Sequence, residues 1–134
     1  METSKLTGPA LDWAVAKCKG YAAGVWAEDE KVFVVQKPSG GIWMLQGGSC
    51  LNWLRYGRWN PAEDWEQGGP IIEREGMTVT DRRHLRPAVF DSERWRAETA
   101  KYVEGYGPTP LIAAMRCYVA SKLGDEVEIP EELR

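Results

Sequence analysis

Residues that bind metals or form disulfides are scarce in this sequence. His84 is the one histidine, and the three cysteines, Cys18, Cys50 and Cys117, lie far apart with no Cys-x-x-Cys pair. Because a structural zinc site needs several closely spaced Cys or His ligands, we predict no metal site and no other cofactor. An odd number of separated cysteines also argues against a disulfide framework, and reduced thiols are typical of a cytoplasmic protein.

Long apolar runs and a strong net charge are also absent. No apolar run approaches the ~18 residues that a membrane-spanning helix needs, and residues 1–8 lack the basic and apolar regions of a signal peptide. The net charge of −3 argues against a dedicated DNA-binding surface. These absences together predict a cytoplasmic protein with no membrane contact.

Length and composition are those of an ordinary compact protein. The chain fits one domain, 1–134, in which 43% of the residues are hydrophobic and 28% are charged. Residues 125–134 are acidic and include a proline, so we expect an extended tail with a frayed end. Tryptophan is unusually frequent, and four of the seven lie in the central part of the chain: Trp43, Trp53, Trp59 and Trp65.

Cap residues and prolines indicate two principal helices, one beginning after Thr7 and the other spanning residues 110–123. On both helices, apolar residues recur three or four positions apart, which gives each helix one face suited to burial. The charged residues on the other faces, including Asp12 and Arg116, are expected to face solvent.

Runs of β-branched and aromatic residues predict strands at 32–35 and 42–45, joined as a hairpin. A weaker alternation at 94–102 predicts a strand antiparallel to 77–80, whereas 50–56 reads as irregular or as one helical turn. The predicted fold class is therefore α+β: a small, mainly antiparallel sheet with two principal helices packed on one face.

The central segment contains two helix starts in tandem. Asn60 can cap a helix whose first residue is Pro61, where a missing N–H costs nothing. Gly68 and Gly69 then interrupt that helix, and Pro70 begins another. We therefore predict two short helices in this segment.

Three stretches of the chain resemble the NinX-like bacteriophage and prophage proteins. They are L-D-W-A-V-A-K-C-K-G from Leu11, W-N-P-A-E-D-W-E-Q-G-G-P-I-I-E-R-E-G from Trp59, and T-P-L-I-A-A-M-R-C-Y-V-A-S-K-L-G from Thr109. The resemblance extends over about residues 6–127, and residues 82–93 look like an insertion relative to shorter members. It implies a phage or prophage origin and the cytoplasm of an infected bacterium. The function of the family is unknown, so the resemblance implies no activity and supplies no catalytic residues.

The tryptophans are open to two interpretations. They can form a core in a domain that has little Phe, which we favour because large aromatics dominate small cores. Alternatively, Trp59 and Trp65 can line the cleft of an enzyme or small-ligand binder, with Asp64, Glu73 or Asp81 as carboxylates for acid–base chemistry. No general-base signature accompanies these carboxylates, so we predict no catalytic residue.

A group of arginines gives a third candidate site. Arg82, Arg83 and Arg86 lie close in sequence to Phe90 and Trp95. Interleaved arginine and aromatic residues can hold phosphates and stack bases, which predicts weak nucleic-acid binding through this segment. The alternative is a solvated loop that balances the acidic C-terminal residues.

The leading functional prediction is a phage or prophage accessory protein that is not an enzyme and binds another macromolecule, most simply a protein partner. The sequence is also compatible with a homo-oligomer. A deep pocket with converging carboxylates would favour the enzyme, whereas a flat apolar patch would favour the binding protein.

Overall fold

The structure is a computed structural model that describes residues 1–134. Its helices are α1 (Gly8–Cys18), α2 (Cys50–Tyr56), α3 (Trp65–Glu75) and α4 (Pro110–Leu123). Its strands are β1 (Ala23–Trp26), β2 (Asp29–Gln36), β3 (Ile42–Gln46), β4 (Thr78–Asp81), β5 (Trp95–Glu98) and β6 (Glu104–Gly107). Short 3-10 turns lie at Thr3–Lys5, Asp91–Glu93 and Glu131–Leu133. The predicted α+β class is confirmed.

The strands form two antiparallel three-stranded sheets, in the orders β1-β2-β3 and β4-β5-β6, where one sheet is predicted. The predicted hairpin belongs to the first sheet, and the predicted pairing of 77–80 with 94–102 is the β4–β5 pair of the second. The first sheet cannot extend beyond β3, because the chain after α2 occupies that edge. There Met44 N–H donates to the Gly57 carbonyl at 2.8 Å, and Trp59 N–H donates to the Met44 carbonyl at 2.9 Å.

The two principal helices lie side by side between the sheets. α1 contacts the first sheet, α4 contacts the second, and the helices contact each other. α4 has the predicted bounds, and Thr109 caps it by accepting a hydrogen bond from Ile112 N–H at 3.1 Å. Leu111, Met115 and Val119 of its apolar face are buried in the core.

The central segment forms one helix, α3, where two short helices are predicted. Asp64 caps it, since its carboxylate accepts a hydrogen bond from the backbone N–H two residues later at 2.9 Å. Pro61 lies in a turn before the helix rather than at a helix start. Gly68 is buried, and a side chain there would collide with the Pro61 carbonyl and with Leu111. Close packing therefore outweighs the low helix propensity of Gly68, whereas Pro70 lies within the helix on its exposed side.

Residues 50–56 form two full turns of helix rather than an irregular stretch. The start of α2 is fixed by reciprocal hydrogen bonds, in which Ser49 Oγ accepts from Asn52 N–H at 3.3 Å and Asn52 Oδ1 accepts from Ser49 N–H at 2.9 Å. Asn takes the place of the Glu or Gln that usually marks a capping box, which is why the sequence pattern does not reveal it.

The prediction of a frayed tail at 125–134 is wrong. Val127, Ile129 and Leu133 are buried. Val127 also exchanges two hydrogen bonds with Met1, because its N–H donates to the Met1 carbonyl at 3.0 Å and its carbonyl accepts from the Met1 amino group at 2.9 Å. The apolar residues are spaced to face the core, and their burial outweighs the acidic composition of the segment.

No helix of the structure has both the length and the apolar composition of a membrane-spanning segment.

The contact between α4 and β6 requires glycine at Gly105. A Cβ atom built there would lie 2.5 Å from Cys117 N and 2.6 Å from the Ala113 carbonyl oxygen. These are backbone atoms of a helix, so they cannot move aside as a flexible side chain can. Gly24 in β1 offers a comparison, because no atom lies within 4 Å of its built Cβ.

Gly105→Ala is therefore expected to lower the free energy of unfolding by about 3 kcal/mol, as overpacking against backbone does. Gly24→Ala, also in a strand, should leave it unchanged or raise it by about 0.5 kcal/mol. Urea denaturation of both variants beside the wild type measures the difference. Equal midpoints for the two variants would show that α4 and β6 are not in such close contact.

Candidate functional site

Trp59 and Trp65 do not line a common cleft. Trp59 is buried, with its ring centroid 4.8 Å from that of Trp43 and 5.6 Å from that of Tyr21. Its indole N–H donates a hydrogen bond to the Asp12 carbonyl at 2.8 Å. Trp65, in contrast, is 56% exposed on the first turn of α3. Trp59 thus belongs to the core, and Trp65 belongs to the surface.

The carboxylates that could serve an enzyme do not converge on Trp65. Trp65 borders a shallow hollow of about 230 Å³ beside the start of α4. Asp64 is engaged in capping α3, and neither Glu73 nor Asp81 lines this hollow. Asp81 lies instead at the end of β4. The hollow therefore offers no pair of carboxylates for acid–base chemistry.

Two arginines of the predicted basic segment, Arg83 and Arg94, share one aspartate, Asp81, so the three side chains together keep one positive charge. Arg94 Nε and Nη2 donate to the two carboxylate oxygens of Asp81 at 3.1 and 3.0 Å, and Arg83 Nε lies 2.9 Å from Asp81 Oδ2. The hydrogen bonds from Arg94, more than the neighbouring Arg83, lower the pKa of Asp81 to about 2. Arg96 is similarly engaged with Glu98 and Glu104, at 2.6 Å in each case.

Residues 82–93, here called the arm, connect β4 to β5 and lie mostly exposed. Arg82 donates a hydrogen bond to the Glu93 carbonyl at 3.0 Å, and its guanidinium carbon lies 4.7 Å from the centre of the Tyr106 ring. Arg86 bonds only to the neighbouring Leu85 carbonyl, at 3.0 Å. Of the three arginines predicted to bind, Arg86 alone has neither an acidic nor an aromatic partner.

The two aromatic residues of the basic segment differ in environment. Trp95 is half-buried and packs against the core, with the Arg94 guanidinium carbon 5.4 Å from its ring centre. Phe90 is 80% exposed on the arm. The structure therefore leaves Phe90 free for contact with another molecule, whereas Trp95 is mainly a packing residue.

A cleft of about 780 Å³ lies between the N-terminal 3-10 turn, β6, α4 and the last residues of the arm. Five carboxylates and two cationic side chains line it: Glu2, Glu93, Glu104, Asp125, Glu126, Lys5 and Arg116. No local sequence pattern reveals this cleft, because its walls come from segments that are far apart along the chain. The acidic residues near both ends of the sequence are the one feature of the sequence that indicates an acidic site.

Arg116, which is expected to face solvent, is half-buried in the wall of this cleft. Its Nε donates to the Leu6 carbonyl at 2.9 Å, and its Nη1 donates to the Tyr106 carbonyl at 2.8 Å. Burial lowers the pKa of the guanidinium from its ordinary value. Arg116 therefore holds the N-terminal segment and β6 in place on either side of α4.

Asp12, also expected to face solvent, is 1% exposed between α1 and the turn before α3. Its Oδ1 accepts a hydrogen bond from Ala62 N–H at 3.2 Å. Burial raises the pKa of this carboxyl to about 7, while the hydrogen bond and the positive charge of Arg58 act in the opposite direction and Glu63 adds to the rise. Asp12 lies one helical turn before the buried Ala16, a spacing that places both on the inner face of α1.

Two antiparallel three-stranded sheets on either side of a helix pair, with a polar cleft beside them, define a small α+β protein. The chain belongs to the family described as Bacteriophage P22, NinX, whose family model matches residues 2–122. The resemblance found in the sequence is thereby confirmed. No curated protein matches the chain.

The buried Asp12 carboxyl makes stability depend on pH. Between pH 4 and pH 7 the folded protein keeps a proton that the unfolded chain has lost, so stability falls as the pH rises through this interval. Asp12→Asn should abolish the loss, because an amide is neutral at every pH and its oxygen can still accept from Ala62 N–H. At pH 8 we expect the variant to be more stable than the wild type by on the order of 2–4 kcal/mol. At pH 4 the two should be nearly equal.

Urea denaturation across this pH range measures the difference, with Asp91→Asn, at an exposed carboxyl, as the matched control. A constant difference between Asp12→Asn and the wild type from pH 4 to pH 8 would contradict the assignment of a neutral buried carboxyl.

Proposed function

We propose that the chain is a phage accessory protein that is not an enzyme and that acts by binding a protein partner in the cytoplasm of the bacterial host. The observation that carries this proposal is the wide, acidic cleft beside the arm. Its occupant is a segment of the partner that carries lysine or arginine and an apolar residue.

The lining of the cleft favours a polypeptide segment over a small molecule as its ligand. Sites for small ligands are enclosed and mostly apolar, whereas this cleft is open to solvent and lined mainly by polar side chains. The carboxylates of Glu93 and Asp125 have no basic partner within the chain. They are therefore free to pair with cationic side chains from outside.

Phe90 supplies the apolar contact. It is exposed and lies two residues before Ser92, which lines the cleft. Exposed aromatic side chains are often the residues that dominate binding energy at protein interfaces. Leu85, on the same arm, is nearly half exposed. A partner segment lying in the cleft can thus contact Phe90 and the carboxylates together.

The two alternative functions have less support. Nucleic-acid binding requires free positive charge, but of the arginines in this segment only Arg82 and Arg86 lack an acidic partner. Arg83 and Arg94 pair with Asp81, and Arg96 pairs with Glu98 and Glu104. The acidic cleft would also repel phosphates. A ligand cleft between Trp59 and Trp65 lacks one wall, because the Trp59 side chain is buried.

The proposal is tested by affinity capture from phage-infected cells, followed by reconstitution with the purified captured protein. A Glu93→Gln, Asp125→Asn variant and a Phe90→Ser variant should each weaken the reconstituted complex at least about tenfold, which corresponds to about 1.4 kcal/mol. Binding should also weaken with added salt for the wild type, and less so for the charge variant.

Val25→Ser is the matched control, because Val25 is an exposed apolar residue on β1 of the other sheet. It should bind like the wild type, and all variants should keep the wild-type melting temperature. Equal affinity of the wild type and of both cleft variants would overturn the proposal. Binding of a fluorescent single-stranded DNA at low salt, with no protein captured, would favour the nucleic-acid alternative.

A further inference from the structure

The cleft lies at the free edge of β6. Side chains alternate between the two faces of a sheet along each strand. Gly105 faces α4, so Glu104 and Tyr106 on either side of it face the opposite way. All three residues line the cleft, and a cavity lined from both faces of a strand must reach one of its edges. Because β5 occupies the other edge of β6, the cleft meets β6 along the edge that has no partner strand.

The hydrogen-bond register shows which backbone groups lie on this edge. Opposite residues of antiparallel strands alternate between pairs that exchange hydrogen bonds and pairs that do not. Thr99 N–H donates to the carbonyl of the opposite Val103 at 3.0 Å, so the hydrogen-bonded pairs recur at every second residue from there. Gly105 thus bonds to β5, whereas Glu104 and Tyr106 direct their N–H and C=O groups to the free edge.

Two further hydrogen bonds agree with this register. Arg116 Nη1 reaches the Tyr106 carbonyl at 2.8 Å, from a side chain that lines the cleft. On the far side of β5, Arg82 N–H donates to the Arg94 carbonyl at 2.8 Å, so the even-numbered residues of β5 bond to β4 and the odd-numbered ones to β6. The cleft therefore contains an unpaired strand edge, on which Arg116 engages a single carbonyl.

We propose that the partner segment binds in the cleft as an additional strand of the second sheet, beside β6. This mode of binding rests on the function proposed above and specifies how the segment is recognised. An extended segment matches the N–H and C=O groups of the edge with its own, whereas the backbone groups of a helix are already bonded within the helix. Lysine or arginine side chains of the segment pair with Glu93 and Asp125, which line the same cleft.

The other sheet edges do not offer such a site. The outer edge of β3 is covered by the chain that follows α2. β1 and β4 contribute no residue to the cleft, so a strand added to either would not meet its carboxylates. The acidic lining also repels acidic segments, which restricts the β6 edge to cationic ones.

A blocked peptide of about six alternating lysine and valine residues tests the proposal, because it is cationic and valine favours the extended form. It should bind the wild type with a dissociation constant of about 1 mM or below. Amide hydrogen exchange, followed by NMR, should slow at Glu104 and Tyr106 when the peptide is bound. Exchange at Gly105 should not change, because its N–H already bonds to β5.

Glu104→Pro and Glu104→Ala separate the backbone of β6 from its side chains. Both remove the carboxylate, but only proline removes the N–H, and proline is tolerated at the first residue of an edge strand. At equal melting temperatures, Glu104→Pro should bind the peptide at least about fivefold more weakly than Glu104→Ala. Equal affinities of the two variants would contradict the added strand.

Modified peptides give the same comparison on the wild-type protein, even if Glu104→Pro does not fold. One peptide is N-methylated at every lysine and the other at every valine, so that each loses the N–H groups of one strand edge. Their affinities should differ at least about fivefold, since only one edge of the bound strand faces β6.

A bound peptide that leaves exchange at Glu104 and Tyr106 unchanged would overturn the proposal, as would the absence of binding at millimolar peptide concentration. Neither outcome bears on the proposed function of the cleft, because a partner can also bind there through side chains alone. The Glu93→Gln, Asp125→Asn variant tests that function with the captured protein.

Discussion

The close contact between α4 and β6 is the constraint on which the rest of the structure depends. Gly105 and Gly107 allow the strand to touch the helix backbone, since a Cβ at Gly107 would lie 2.8 Å from Ala113 N. With the strand held this close, Arg116 reaches the carbonyls of Tyr106 and Leu6 at once. Arg116 therefore fixes the positions of the N-terminal segment and the second sheet relative to α4. The cleft is the space left between them.

The elements that the sequence predicts correctly are those with local signals. α4 begins after a cap residue and a proline and has a clear apolar face, and the strand alternation at 77–80 and 94–102 suffices to pair β4 with β5. The prediction for the central segment is wrong because its glycines indicate a helix break. Gly68 instead lies within the helix, where its lack of a side chain allows close contact with the Pro61 carbonyl. The division into two sheets depends on the chain that blocks the β3 edge, which no local pattern encodes.

The candidate site was less predictable than the fold. The arginines of the arm are close in sequence, which predicts a basic surface, but Asp81 pairs with Arg83 of the arm and with Arg94 just beyond it and so offsets one of these positive charges. Asp12 and Arg116 look like ordinary surface charges, because burial of a charged residue depends on elements from elsewhere in the chain. The cleft combines five separate segments, so it becomes visible only when the chain is folded.

The pairing of Met1 with Val127 has a consequence for the dynamics of the protein. Its partners are 126 positions apart, so forming it closes nearly the whole chain into one loop for very few hydrogen bonds. Contacts so distant in sequence form late in folding, because the elements between the partners must first be in place. Glu2 and Glu126, which border the cleft, are the neighbours of this pair. This wall of the cleft is thus completed late in folding, and a molecule that binds only the completed wall would stabilise the folded protein.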